Sequence, residues 1–214
     1  MPMPMISKQQ VLAALTAATH TRHDQGREGL AELSMEELAT RAGVSRATLY
    51  RLFPGKEALF AELVRTFSPF EPIAAVLEAA GDRPPAEVIP AVAQAMAAAM
   101  DGHIGLLLQL LFESARHPDD GRATSEGAIQ GMRTLPLVAD YLAEQMAAGR
   151  LRPMDPDLAV QALIGPIVMH LLARSQAESR PGAGRAAALP LEEVVDELVG
   201  IWLRAMIPAD GDHQ

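Results

Sequence analysis

The segment that most restricts what this chain can become runs from Leu33 to Phe53, LSMEELATRAGVSRATLYRLF. Ser34 followed by Glu37 forms a capping box, in which the hydroxyl accepts from a backbone N–H and the carboxylate reaches back to the cap. Leu38, Ala42, Val44, Leu49 and Leu52 fall at the inward spacings of two short helices crossing steeply. Ala39 sits where the two helices meet and a small side chain fits, and Gly43 takes the turn, where a positive φ costs it little. Ser45 caps the second helix, leaving Arg46, Ala47, Thr48, Tyr50 and Arg51 outward or along its flanks. Small residues let such a helix into a major groove about 12 Å wide, and Arg, Thr and Tyr supply donors for bases and phosphates.

Proline and glycine divide the rest of the chain into helix-sized pieces. The pattern predicts helices over 8–24, 35–42, 46–53 and 56–67, then a break at Pro69 and Pro72. Further helices are expected at 73–80, 86–100, 104–117, 126–148 (with a bend at Pro136), 157–178 and 191–207. Gly/Pro-rich stretches join them, including a linker at 179–190. Low aromatic content and the absence of alternating strand patterns agree. The expected architecture is all-α: an N-terminal helix-turn-helix head at 1–67 and a larger helical-bundle body at 68–214.

Charge agrees with that division. The chain carries a net −9, yet residues 1–67 hold eight basic and seven acidic side chains while 68–214 hold ten and twenty. Beyond about 10 Å screening makes local charge count for more than the total, so an acidic body is compatible with a head that meets DNA. Zero cysteines exclude disulfides and thiol catalysis. No secretory leader and no uninterrupted run of about 20 apolar residues is visible, so a cytoplasmic protein without a membrane span is expected. No nucleophile triad or nucleotide-binding fingerprint is found, so neither enzyme activity nor a cofactor is expected. His20 and His23 beside Asp24 read as a solvated helix end rather than a metal pair.

From Gly29 the chain resembles the TetR family of bacterial regulators. The resemblance runs through Ser34–Ala39, Ala42-Gly43-Val44-Ser45, Thr48–Arg51 and Phe53-Pro54-Gly55-Lys56-Glu57-Ala58-Leu59-Phe60. It departs in a longer stretch at 20–27 and in Leu52, where relatives often carry histidine or an aromatic. The resemblance implies a recognition helix at Arg46–Phe53, with Ser34, Ser45, Arg46, Ala47, Thr48, Tyr50, Arg51 and Lys56 at the DNA. Tyr50 and Lys56 would serve phosphates, Lys56 at a helix start where backbone N–H groups favour an anion. It further implies a homodimer on a pseudo-palindromic operator, with the last two helices of each subunit at the interface. A small effector in the body would weaken DNA binding.

Within the body, the expected dimer face is Leu163, Ile167 and Leu171 with Val194, Leu198 and Trp202. The expected effector lining is Met96, Met100, Leu107 and Leu111, with Met132, Leu135 and Met169. Gln109, Glu113 and His170 would be its polar groups, for a largely apolar molecule, neutral or weakly cationic. Core filling explains these methionines equally well. Two rival functions stay open: an activator or ligand-independent regulator with the same head, and a helical binding protein or enzyme whose head is vestigial.

Overall fold

The computed structural model describes residues 6–20, 33–108, 126–179 and 189–209, with side chains at 6–17, 33–108, 133–177 and 189–209. Every regular element among them is helical: α1 Lys8–His20, α2 Met35–Arg41, α3 Arg46–Leu52, α4 Lys56–Phe67, α5 Phe70–Glu78, α6 Pro85–Met100, α7 Glu126–Ala147, α8 Pro156–Ser179 and α9 Leu191–Met206. The chain is also helical at 104–108. The stretches 21–32, 109–125 and 180–188, on which parts of three expected elements fall, lie outside the described residues.

Two compact units emerge. The first comprises 1–67 and 105–129, the second 68–104 and 130–214. One break falls between Phe67 and Ser68, and the first unit also takes in a segment from the middle of the chain.

In the first unit, Val11, Leu12 and Leu15 of α1 meet Leu38 and Ala39 of α2, Leu49 of α3, and Leu59 and Leu63 of α4 in one core, completed by Phe53 and Leu106. Leu12, Leu15, Leu38, Leu49, Leu59 and Leu63 are among its fully shielded side chains. Removing such a leucine side chain leaves a cavity and costs about 2–5 kcal/mol.

In the second unit the close helix pairs are α5 with α6, α6 with α9, α8 with α9, and α6 with α8. Two polar contacts set their registers. Gln94 Nε2 donates to Asp196 Oδ1 at 2.8 Å and to the Glu192 carbonyl at 3.0 Å. Trp202 Nε1, buried, donates to the Ala159 carbonyl at 3.1 Å, tying α9 to α8.

The prolines at the start of α5 fall where they cost least. Pro69 is the N-cap of α5 and Pro72 sits in its first turn, where no N–H would find a helical acceptor. That is why α5 begins at Phe70, three residues before the expected start. Helix α7 continues through Pro136, and α8 through Pro166. Pro166 leaves the Ala162 carbonyl without its helical donor, and both residues are exposed, where water replaces the bond.

Helix α8 runs as expected through Gln161, Gly165, Pro166 and His170. Against the expectation of no membrane-length apolar run, 156–177 is long and apolar enough to cross a membrane by length and mean hydropathy, 1.4 over its best window. Its Leu163, Ile167 and Leu171 are instead buried in the core of the second unit. An apolar side chain on every face suits a helix covered on more than one side.

Candidate nucleic-acid interface

The geometry of α2 and α3 follows from the caps foreseen in the sequence. The Glu37 backbone N–H donates to Ser34 Oγ at 3.3 Å, and Ser34 N–H donates to Glu37 Oε2 at 2.7 Å. The Ser34 hydroxyl and backbone hold the Glu37 carboxyl below its ordinary range; Arg41 and Lys56 pull the same way and the small loss of hydration opposes them. At the far end of α2, Gly43 adopts φ 67°. Its N–H donates to the Thr40 carbonyl at 3.2 Å, and the Val44 N–H to the Ala39 carbonyl at 3.0 Å. This paired closure of the last turn needs a left-handed residue, which glycine supplies without a Cβ penalty. Ser45 then caps α3, accepting from the Thr48 N–H at 3.1 Å.

A rigid turn therefore sets the direction of α3. Leu49 is its buried side chain, packed into the core of the first unit. Arg46, Ala47, Tyr50 and Arg51 are exposed on its other faces. The Arg46 guanidinium lies 5.5 Å over the Tyr50 ring and pairs with Glu36 on α2. Such stacking fixes a side chain that would otherwise sample many rotamers. Lys56, half-buried at the start of α4, lies 5.6 Å over the Phe60 ring. Its ammonium is among the charges that hold the Glu37 carboxyl low. A cation at the first residue of a helix favours an anion there.

Each expected contact residue is thus placed. Arg46, Ala47, Tyr50 and Arg51 share the outer surface of α3, while Ser34 and Ser45 are engaged as caps and Thr48 bonds the second of them, the Ser45 and Thr48 hydroxyls being 2.8 Å apart.

Residues 26–63 match the bacterial regulatory proteins of the tetR family. That segment is of the tetR type. A TetR-family regulator structure from Mesorhizobium loti is 26% identical, covers 94% of this chain and 96% of its own, and superposes with a TM-score of 0.57. KstR2 of Mycobacterium tuberculosis, a ketosteroid transcriptional regulator, is 21% identical over 94% of this chain and 95% of its own, TM-score 0.65. FadR of Thermus thermophilus, a TetR-family repressor in complex with lauroyl-CoA, is 20% identical over 97% and 98%, TM-score 0.53. No curated protein matches the chain.

The second unit distributes the remaining candidates differently from expectation. Leu163, Ile167, Leu171 and Trp202 are buried in the subunit's own core, so they do not form an outer face. Val194 and Leu198 are half-buried. The exposed apolar stripe of α8 is instead Leu158, Ala162, Pro166 and Met169, and that of α9 continues from Val194 and Leu198 to Ile201. Amphipathic spacing alone did not separate these two faces, because α8 is apolar all round.

The expected lining residues that the structure describes lie in different settings. Met96 is buried, Met100 half-buried, and His170 buried on α8. Leu135 and Met169 are 48% and 65% exposed, so they face outward rather than line an interior. Leu107 belongs to the first unit and Met96 to the second. Gln109, Leu111 and Glu113 lie outside the described residues, as does the side chain of Met132. Thr134 and Tyr141 were missed: each has a buried side-chain oxygen without a hydrogen-bond partner. Their signal was available as two hydroxyls seven residues apart in a helix face otherwise built from Val138 and Leu142. Among the described residues no cluster of His, Asp or Glu could hold a metal.

Proposed function

We propose that this protein is a cytoplasmic, ligand-responsive transcriptional repressor, not an enzyme, which binds a pseudo-palindromic duplex operator as a homodimer. The observation that carries the reading is the exposed surface of α3, where Arg46, Ala47, Tyr50 and Arg51 stand on a helix held by caps at Ser34 and Ser45. Arginine reads guanine edges, Ala47 leaves room for groove entry, and Tyr50, Arg51 and Lys56 reach phosphates. Dimerisation uses Leu158, Met169, Val194, Leu198 and Ile201, since apolar patches of this kind mark contact surfaces. Effector binding to the second unit favours a conformation with lower DNA affinity, and by linkage DNA lowers effector affinity equally. Structures of this fold described as a ketosteroid transcriptional regulator and as a complex with lauroyl-CoA, whose acyl chain is apolar, support an effector with a substantial apolar part.

Selection of bound duplexes from a random pool tests this reading. An inverted repeat with half-sites about one helical turn apart is expected. Recovery of no preferred sequence would contradict it.

A further inference from the structure

We propose that Leu106 is a positioning residue for α3: it completes the core on which that helix rests, so residues 1–67 do not build the reading surface alone. This rests on the reading of α3 as the surface that meets DNA. Helix α3 has seven residues, about two turns. Helices that short do not hold together in water by themselves, so the neighbours of α3 must hold it. Leu49 is its buried side chain, and Val44 and Leu52 on either side are partly buried against the same core. The Ser45 cap fixes where α3 starts. Its direction beyond that point depends on what fills the space around Leu49.

Among the described residues, every other buried member of that core lies between Val11 and Val64, whereas Leu106 comes from the middle of the chain. A defined turn delivers it. The Asp101 N–H, at the C-cap of α6, donates to the Ala97 carbonyl at 2.9 Å, and the His103 N–H donates to the Met100 carbonyl at 3.0 Å. Between them Gly102 takes φ 71°, a left-handed conformation that glycine enters freely. The chain is helical again at 104–108, with Gly105 exposed and Leu106 buried, 7% exposed. Ile104 still counts with the second unit, and Leu106 with the first.

Interiors are close-packed, so a leucine removed from one leaves a cavity that its neighbours fill incompletely by shifting. Here the neighbours belong to the core that includes Leu49, the anchor of α3. Base-edge hydrogen bonds require donor–acceptor distances of about 2.7–3.2 Å, so a small displacement of α3 breaks them. Attraction to the phosphates depends on charge and survives such a displacement. Loss of Leu106 therefore carries its own signature: sequence preference falls while the salt dependence of binding stays. Loss of a phosphate-contacting cation lowers the salt dependence instead.

The test uses the full-length protein and compares Leu106→Ala with Leu163→Ala, the same change in the core of the second unit. Native-state amide exchange and binding to the selected and random duplexes are measured. Leu106→Ala is expected to speed exchange of the protected amides of α1–α4 about thirtyfold or more, leaving those of α6 and α9 unchanged. Its preference for the selected duplex should fall about tenfold, the worth of one misplaced bidentate contact, with the salt slope unchanged. Leu106→Met, which refills the space, should restore both properties to within about threefold. Leu163→Ala should speed exchange in α6 and α9 and keep the preference. If Leu106→Ala does not fold, Leu106→Val carries the same comparison at smaller amplitude. Unchanged exchange in α1–α4, a preference kept by Leu106→Ala, or an equal loss of preference in Leu163→Ala would overturn the proposal. These failures leave the reading of α3 intact, whereas a wild type that prefers no duplex removes that reading and the proposal with it.

Discussion

Arg46 Nε lies 3.0 Å from Glu36 Oε1, so the first side chain of the exposed helix is held by an acid on the helix before it. Both side chains are substantially solvated, 67% and 47% exposed, and a pair of that kind adds little to folding. On the proposed reading of α3, its effect falls on DNA binding, because the guanidinium must leave Glu36 before it can serve a base or phosphate. Glu36→Gln is expected to tighten operator binding about two- to fivefold, the worth of a surface ion pair, with the melting temperature nearly unchanged. Fluorescence anisotropy at fixed salt reads this directly, and weaker binding by Glu36→Gln would show that the acid orients Arg46 productively.

The turn between α2 and α3 is the most demanding local feature of the first unit. A Cβ at Gly43 would meet nothing within 4 Å, so the cost of Gly43→Ala is backbone strain at φ 67° rather than a clash. About 1–2 kcal/mol is expected from a left-handed L-residue. Ser45→Ala should cost about 1 kcal/mol through loss of the α3 cap. Thermal melts should show both variants a few degrees lower, with DNA affinity falling alongside because the angle of α3 depends on this turn.

His170 gives the second unit a pH dependence. Burial lowers its imidazole below the ordinary 6.5, Arg174 acts the same way, and Asp101 opposes them. The unfolded chain therefore takes up the proton first as pH falls. The stability that the neutral imidazole contributes is complete above about pH 6.5 and declines below it, toward the lowered folded value. His170→Asn should lose less melting temperature than wild type between about pH 7.5 and 5.5. Parallel losses in the two proteins would assign the pH dependence elsewhere.

Faces of α8 and α9 separate folding from assembly. Leu163→Ala, in the core, should cost about 2–5 kcal/mol of stability whatever the oligomeric state. Ile201→Asp, on a side chain 53% exposed, should leave helicity intact and convert a dimer to a monomer in light scattering. A dimer that survives both Ile201→Asp and Met169→Asp would place the interface on another surface.

What could be read from the residues was local. The Ser34–Glu37 box, the Ser45 cap and the Gly43 turn each involve groups within a few positions of one another, and the structure shows the bonds that the sequence pattern anticipated. Helix boundaries were legible to within about one turn, with α5 the largest difference, because prolines at 69 and 72 are as compatible with a helix start as with a break. The second unit was harder. A helix that is apolar on every side gives no periodic signal for which face meets its own core, so Leu163 and Trp202 could not be told from Met169 and Ile201. Thr134 and Tyr141 acquire meaning only once burial shows their hydroxyls cut off from water and from partners.

The most direct measurement is equilibrium binding of the selected duplex by wild-type protein and by a variant carrying Ala at Arg46, Tyr50, Arg51 and Lys56, with circular dichroism confirming equal helicity. The account predicts nanomolar-range specific binding by the wild type, in the order of magnitude usual for such regulators. The variant should lose all preference for the selected duplex over random DNA and show a shallower salt dependence. Equal affinity and equal sequence preference in the two proteins would contradict the assignment of α3 as the surface that reads DNA.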